Sequence, residues 1–283
     1  MLKQRVITAV LLLAVLIPSV IYPSIFPFGV VSLLLIACGA WEWSRLNGFP
    51  QSAAVIQALF FAASCACFWY FGGLNLPLRL LWIVGGAFWV LAGGWLLNSG
   101  ASQWKLIPQS LRLFGGLAAL LLAWLAVMQA RSVGINYLLS VMALVWVADI
   151  TAYFSGRTFG GKLFQRKLAP SISPGKTWEG VLGGVVGVML LAALWIALER
   201  DGQLAPHSLF TTLVSLGRGY LLLCMLFLTA MSVVGDLVES LFKRLAGVKD
   251  SSGLLPGHGG VLDRVDALLP TLPLALMLSS FGG

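Results

Sequence analysis

The sequence is dominated by long runs of apolar residues, and these runs limit the possible folds more than any other feature. An α-helix needs about 20 apolar residues to cross about 30 Å of hydrocarbon. Charged residues make up only 10% of the chain, whereas a soluble domain carries about 25%. The sequence therefore predicts an all-α, polytopic transmembrane helical bundle of about nine spans, with approximate limits 6–22, 25–41, 53–72, 76–97, 111–129, 136–156, 178–198, 215–238 and 264–281.

The first two runs are the hardest to assign. Pro23 and Pro27 lie in the turn between them, so the pair could form one re-entrant hairpin instead of two full spans. Lys3 and Arg5 before an apolar run also resemble the start of a signal peptide. No small-x-small cleavage site follows, which predicts an uncleaved first span.

The basic residues predict how the bundle is oriented in the membrane. Cytoplasmic loops carry an excess of Lys and Arg. With the N-terminus inside, the outer side has only Arg79, Arg131, Arg200 and Arg218 of the 18 bases. The other 14 fall on the cytoplasmic side: Lys3, Arg5, Arg45, Lys105, Arg112, Arg157, Lys162, Arg166, Lys167, Lys176, Lys243, Arg244, Lys249 and Arg264.

This N-in/C-out arrangement places two long polar loops, 157–177 and 239–263, in the cytoplasm. The bases flank apolar spans, which is typical of a membrane protein, and nucleic-acid binding is not expected. We divide the chain into N-terminal transmembrane helices (1–135) and a C-terminal transmembrane catalytic region (136–283).

Small residues in the seventh run predict close packing between helices. Gly180 and Gly184 form one small-xxx-small pair, and Gly183 and Gly187 form a second. Such pairs let two helix backbones approach closely in a membrane.

The chain has ten acidic residues, and most of them lie near the two polar loops. Asp149 is unusual because it lies well inside the sixth run. A carboxylate at that depth is costly, so it should face a polar cavity, a metal or a partner helix. A hydrogen bond between helices is the alternative, and Tyr153 should lie on the same side. Glu42, near Arg45, is expected to form a simple interfacial ion pair.

Two pairs of acids predict a metal site. Asp236 and Glu239 lie three apart at the end of the eighth run, and Asp263 and Asp266 repeat that spacing at the start of the ninth. Residues three apart lie on one helix face. We expect these four carboxylates to converge as ligands of Mg²⁺, which takes oxygen ligands and binds phosphates. For Asp266, compensation of a helix N-terminus is an alternative.

The 170–179 segment reads PSISPGKTWE and predicts an anion-binding helix start. Ser173 before Pro174 is the expected N-cap. Lys176, the Thr177 hydroxyl and backbone N–H groups would then face a phosphate. The segment is not a Walker A loop, because the upstream glycine spacing is absent.

The 240–266 segment, which we call the signature segment, combines bases, acids, glycines and one of only two histidines. Gly259 and Gly260 permit backbone conformations that allow a ligand to approach closely. For His258, a phosphate or base contact is favoured over zinc, which needs further N or S ligands.

The signature segment resembles the motif of the phosphatidate cytidylyltransferases (CDP-diacylglycerol synthases) position by position. The matching residues are Ser240, Lys243, Arg244, Lys249, Asp250, His258, Gly259, Gly260, Asp263, Arg264 and Asp266. Segments 149–156, 167–178 and 235–240 are also similar to the bacterial family. The first 135 residues match only as apolar spans, with a faint similarity at Trp41-Glu42-Trp43.

The resemblance implies transfer of a cytidylyl group from CTP to phosphatidic acid, with Mg²⁺, at the cytoplasmic face of a bacterial inner membrane. A second cation and a homodimer are left open. It implies catalytic roles for Asp236, Asp263, Lys176, Lys249 and Arg264, with metal ligands drawn from Asp236, Asp263, Glu239 and Asp266. The implied substrate-binding residues are Ser173, Lys176, Thr177, Lys243, Arg244, Lys249, Asp250, His258, Gly259, Gly260 and Asp149.

Two other functions would fit part of the pattern. A related CTP-using membrane enzyme, such as a polyprenol kinase or an archaeal-lipid cytidylyltransferase, would share the charge placement but not the whole motif. A transporter would predict an inverted repeat and polar residues at mid-membrane in both halves.

Overall fold

The structure, a computed structural model, describes residues 2–104 and 106–282, so Lys105, one of the predicted cytoplasmic bases, lies outside it. The described residues form helices and no named strand, which confirms the all-α prediction. The α-helices are α1 (Leu2–Ile21), α2 (Ile25–Leu46), α3 (Gln51–Tyr70), α4 (Arg79–Trp104), α5 (Gln109–Val133), α6 (Ile135–Phe159), α7 (Trp178–Arg200), α8 (Leu209–Ser215), α9 (Arg218–Leu245), α10 (Leu262–Val265) and α11 (Leu268–Ser279).

Over these ranges, nine helical segments are long and apolar enough to cross a membrane. They are α1 to α7, α9, and α10 with α11 taken together. A helix satisfies its own backbone N–H and C=O groups, which hydrocarbon cannot do. The first two segments have 19 and 22 residues, so each is long enough for a full span and no re-entrant hairpin is needed.

Both polar loops are shorter than predicted. Helix α9 has 28 residues and continues to Leu245, so Lys243 and Arg244 are helical. No glycine or proline interrupts the chain between Asp236 and Ala246, and Gly247, with φ of +71°, follows the helix end. The loop after α9 therefore covers 246–261. Helix α6 continues to Phe159, which leaves 160–177 as the other polar loop.

Helix α8 was not predicted. The Ser208 hydroxyl accepts a hydrogen bond from the Thr211 N–H at 3.2 Å and caps the helix. Leu209, Phe210 and Leu213 are completely buried. With seven residues, α8 is too short to be recognised in the sequence as a membrane span. It is identified only by its packing in the structure.

Helix α11 lies centrally, in contact with α4, α5, α6, α8 and α9. One hydrophobic core runs from Phe28 to Leu276 and joins both halves of the chain. The predicted close packing of the glycines on α7 is confirmed: a Cβ at Gly183 or Gly187 would overlap Ser155 or Thr151 of α6. This approach brings α6 and α7 together beside α9, where the main cavity lies.

Candidate functional site

A cavity of about 680 Å³ lies between α6, α7, α9, the α10–α11 segment and the 160–177 loop. We call it the polar cavity. Small and apolar residues such as Ala148, Gly184 and Val233 line part of its wall. The charged residues that line it are Asp149, Arg157, Lys176, Asp236, Asp263, Arg264 and Asp266. Residues from distant parts of the chain thus meet in one polar space beside apolar helices.

Lys176 and Asp236 form an ion pair in this cavity. Asp236 lies on α9 and also accepts a hydrogen bond from the Ser240 hydroxyl at 3.2 Å. Lys176 comes from the 160–177 loop, directly before the Thr177 cap of α7. Both side chains keep a quarter or more of their surface exposed, so a ligand can reach them.

Asp149 projects into the same cavity from α6. No described group donates a hydrogen bond to its carboxylate, so the alternative of a hydrogen bond between helices is wrong here. Tyr153 lines the cavity as well, as the helical spacing predicts. Asp149 is therefore available to a cation or to a ligand with hydrogen-bond donors.

Asp266 lies where the ninth span breaks between α10 and α11. Its carboxylate accepts a hydrogen bond from the N–H of Ala267 at 2.7 Å and faces the polar cavity. Gly235 of α9 packs against this break, because a Cβ there would lie 2.5 Å from the Asp266 carbonyl oxygen. The close approach places Asp236 and Asp266 on neighbouring walls of one space.

Asp263 shapes the 246–261 loop. Its Oδ2 accepts three hydrogen bonds, from the N–H and hydroxyl of Ser251 and from the N–H of Gly260, each 2.8 Å long. Its Oδ1 accepts a hydrogen bond from Lys243 at 2.7 Å. Both oxygens are thus engaged by protein donors, and a metal would have to compete with them.

Glu239 does not line the polar cavity, unlike the other three predicted metal ligands. It forms an ion pair with Lys243 and lines a second, mostly apolar cavity of about 50 Å³ next to Trp43 and Phe242. Lys243 therefore bridges Glu239 and Asp263 and is not free for a substrate phosphate. Asp236 and Glu239 point in different directions from α9, because residues three apart differ by about 60° around the helix axis. The expected convergence of four carboxylates is not found.

The outer bases of the signature segment lie in different places. Arg264 lines the polar cavity. The Nε of Arg244 donates to the carbonyl oxygen of Ile172 at 3.3 Å, which ties α9 to the 160–177 loop. Lys249 and Asp250 are exposed and do not line the cavity.

His258 is half-buried in a tight turn at the far end of the 246–261 loop. Its N–H donates to the Leu255 carbonyl oxygen, and the Leu255 N–H donates to the carbonyl oxygen of Gly259, both at 2.8 Å. Gly259 has φ of +83°, which favours glycine. The Nδ1 of His258 has no described hydrogen-bond partner.

The cap of α7 is Thr177, so the prediction that Ser173 caps this helix is wrong. The Thr177 hydroxyl accepts a hydrogen bond from the Gly180 N–H at 3.1 Å. Ser173 lies in the preceding turn, where its N–H donates to the carbonyl oxygen of Ala169. That turn makes the helix begin one turn later, and it places Lys176 at the cavity wall.

Two buried glutamates organise the loops, and the sequence reasoning missed both. Glu179 on α7 accepts hydrogen bonds from the backbone N–H groups of Gly161, Leu163 and Phe164. Glu42 on α2 is completely buried and bonds to the other polar loop, so its predicted ion pair with Arg45 is wrong. The only available signal was the cost of an acid in an apolar run.

The polar cavity offers the chemistry needed for a nucleotide and a divalent ion. Asp149, Asp236 and Asp266 supply hard oxygen donors, the type that Mg²⁺ takes. Among the residues that the structure describes, no three His, Cys, Asp or Glu side chains could hold an ion by themselves. Mg²⁺ commonly binds through one or two carboxylates and substrate phosphates, so these donors fit it. Arg157, Lys176 and Arg264 can neutralise phosphate oxygens.

Comparison with known proteins points to one family. The sequence profile of the Cytidylyltransferase family matches residues 3–281. The chain is 38% identical to the phosphatidate cytidylyltransferase of Pseudomonas aeruginosa, across 96% of this chain and 95% of that protein. It is 35% identical to the phosphatidate cytidylyltransferase of Haemophilus influenzae, across 96% of each. A Bacillus subtilis protein of the same name is 41% identical across 51% of this chain and 48% of that protein.

Proposed function

From the premise that this chain belongs to the cytidylyltransferase family, we propose that it transfers a cytidylyl group from CTP to phosphatidic acid. The products are CDP-diacylglycerol and pyrophosphate. The reaction takes place at the cytoplasmic face of a bacterial inner membrane, where CTP is present. The orientation rests on the asymmetric placement of the bases in the sequence.

One observation carries this proposal. Residues from three distant segments that match the family motif line the same polar cavity of about 680 Å³. They are Asp149, Lys176 with Thr177, and the group formed by Asp236, Asp263, Arg264 and Asp266. A cavity that combines carboxylates and bases at the end of transmembrane helices suits a lipid phosphate and a nucleoside triphosphate together.

The proposed step is an in-line displacement at the α-phosphorus of CTP. A phosphate oxygen of the lipid forms a new P–O bond with that phosphorus. The bond from the α-phosphorus to the bridging oxygen breaks, and pyrophosphate leaves with the electron pair. Such transfers depend mainly on positioning and on neutralising charge. Lys176, Arg157 and Arg264 are placed to neutralise the oxygens of both phosphates.

The proposed reaction uses a divalent ion. Asp236 and Asp266, with Asp149 nearby, would hold Mg²⁺, and the bound ion would neutralise charge on the triphosphate. Lys176 keeps Asp236 in place through their ion pair. Asp263, at the cavity wall, and Lys243, behind it, hold the 246–261 loop.

The lipid substrate accounts for the apolar part of the cavity wall. Val181, Val233 and Ala148 offer apolar surface next to the charged residues. The neighbouring helices expose large apolar side chains such as Phe154 and Val186, as membrane-facing helices do. A phosphate bearing acyl chains fits this mixture better than a free phosphate.

A double-label assay tests this function. Purified protein is incubated with phosphatidic acid, Mg²⁺ and CTP labelled at either the α- or the γ-phosphate. Cytidylyl transfer puts the α label in the lipid and the γ label in pyrophosphate. A γ label in the lipid would identify a kinase instead. No labelled lipid, combined with transport of a solute into vesicles, would favour a transporter. Omission of Mg²⁺ tests the metal requirement.

A further inference from the structure

Glu42 is the most deeply buried acid near the polar cavity, although it lies in the N-terminal half of the chain. It is 0% exposed and lies near the end of α2. Its carboxylate accepts hydrogen bonds from the Ser252 hydroxyl at 2.5 Å and from the N–H groups of Val261 and Leu262 at 2.9 and 2.7 Å. Ser252 lies within the 246–261 loop, Val261 ends that loop, and Leu262 begins α10.

No described basic side chain pairs with Glu42. Arg45, one turn away, donates to the side-chain oxygen of Gln51 instead. A buried carboxylate is costly unless hydrogen bonds compensate for lost water. The three donors from the loop provide that compensation, so the carboxylate and the loop conformation depend on each other.

Gly260 makes this contact possible. A Cβ at this position would overlap both the Ser251 hydroxyl and the Glu42 carboxylate. The backbone of the loop therefore passes directly over the acid. This close approach is a physical reason for a glycine here that does not involve any ligand.

Asp263 holds the same stretch of chain from the other side. It accepts hydrogen bonds from Ser251 and Gly260, while Glu42 accepts them from Ser252, Val261 and Leu262. Residues 251–252 and 260–262 are thus held between two carboxylates. The last of these residues directly precedes Asp263 in the chain. Asp263 and Arg264 both line the polar cavity.

Helix α1 supports the tip of the same loop. The Thr8 hydroxyl donates to the carbonyl oxygen of Pro256 at 2.9 Å. A Cβ at Gly257 would lie 2.8 Å from the Cγ of Arg5, so the loop backbone packs closely on α1. The N-terminal helices therefore contact the loop at Ser252, at its tip and at its end.

We infer that Glu42 is a positioning residue that, together with α1, fixes the 246–261 loop so that Arg264 faces the substrate phosphates. This inference rests on the proposed function. Displacement of a phosphate-binding group by about 1 Å can cost about 100-fold in rate. The N-terminal half thus acts on the reaction through the loop, although none of its described charged residues lines the cavity wall.

Glu42→Gln tests the inference kinetically. The amide keeps the size of the side chain but turns a donor toward the loop N–H groups. We expect kcat and kcat/KM for CTP to fall together by about tenfold or more, as when a transition-state contact is lost. The matched control is Ser44→Ala, because Ser44 is equally buried on the same helix but bonds only to the carbonyl oxygen of Ala40. The control should keep wild-type kinetics.

A labelling experiment reads the loop position without any need for activity. Val261 is only 4% exposed at the end of the loop, so Val261→Cys reports loop opening through its rate of reaction with a maleimide in detergent. We expect about tenfold faster labelling with Glu42→Gln and no change with Ser44→Ala, because local opening governs access. Protein without the added cysteine supplies the background from native thiols.

The two readouts separate the inference from the proposed function. If the wild-type protein makes no CDP-lipid, the proposed function is refuted. Faster labelling of the Glu42→Gln variant would still support the contact between Glu42 and the loop. Wild-type kcat together with wild-type labelling in Glu42→Gln would overturn the inference. If Glu42→Gln fails to accumulate, Ser252→Ala removes one hydrogen bond from the loop side. It should shift both readouts in the same direction, and no shift in either would refute the inference.

Discussion

The ion pair between Lys176 and Asp236 is the residue contact on which the site depends most. It joins the 160–177 loop to α9 across the polar cavity. Neither residue is fully buried, so the pair can open toward a ligand without leaving a charge isolated in an apolar core. A substrate phosphate can then take the place of Asp236 beside the lysine.

Lys176→Ala should lower kcat and kcat/KM together, by about 100-fold, because the lysine neutralises charge that develops during transfer. The loss should persist at high salt, since a lysine inside the cavity is screened less than a surface charge. The matched control is Lys162→Ala, an exposed base of the same loop. If Lys176→Ala differs from wild type only at low ionic strength, the lysine merely attracts anionic lipid.

The sequence indicated several residues that line the cavity, but it also included Glu239, Lys249 and Asp250, which do not. Asp149 stood out because charge inside an apolar run is costly. Asp236 stood out by its spacing to Glu239, and Lys176 as part of a predicted anion-binding helix start. All three line the cavity. The engagement of Asp263 depends on Ser251 and Gly260, which a spacing rule cannot locate. Glu42 was missed for the same reason, since its partners lie more than 200 positions away.

At the scale of elements, α9 positions most of the site. Its length of 28 residues carries Asp236 to the cavity and Lys243 behind the 246–261 loop. Gly235 allows the break between α10 and α11 to pack against it. The α9 contact thus sets the distance between Asp236 and Asp266.

Gly235→Ala tests this contact. The added Cβ would lie 2.5 Å from the Asp266 carbonyl oxygen and 2.9 Å from the Cδ of Pro270. We expect a loss of about 1–3 kcal/mol in the free energy of unfolding, as for other overpacked sites, and reduced activity. Gly219→Ala on the same helix is the control, since its Cβ would meet nothing within 4 Å. Thermal unfolding in detergent measures both, and equal stability would contradict the close packing.

The spans were predictable because the thickness of a bilayer demands a certain length of apolar helix. The ends of the helices were harder to predict. Helix α9 continues seven residues past its predicted end at 238. Polar residues extend a helix as readily as apolar ones until a glycine ends it. The short α8 gave no signal, because its burial comes from neighbours distant in sequence.

At the scale of the whole molecule, several parts of the chain meet at one end of the bundle. Thr8 bonds to Pro256, Glu42 bonds to Ser252, and Arg244 bonds to Ile172. The start of α1, the end of α2 and both polar loops therefore share one side. If that side is cytoplasmic, the polar cavity opens where CTP is found.

Single cysteines test the orientation. Gln203→Cys, in the exposed turn after α7, should react with an impermeant maleimide from outside the cell. Leu254→Cys should react only after the inner face is opened. Reversed accessibility would refute the N-in orientation and the cytoplasmic site.

The most direct test of the polar cavity as the site of transfer is the rate of CDP-diacylglycerol formation by the Asp236→Asn variant. The amide keeps the size of the side chain but holds a divalent ion and Lys176 less well. We expect the rate to fall by about 100-fold or more, with normal accumulation in the membrane. Asp201→Asn is the control, because Asp201 lies at the exposed end of α7 with 59% of its side chain accessible. Its rate should match wild type. A wild-type rate for Asp236→Asn would show that the polar cavity is not the site of transfer.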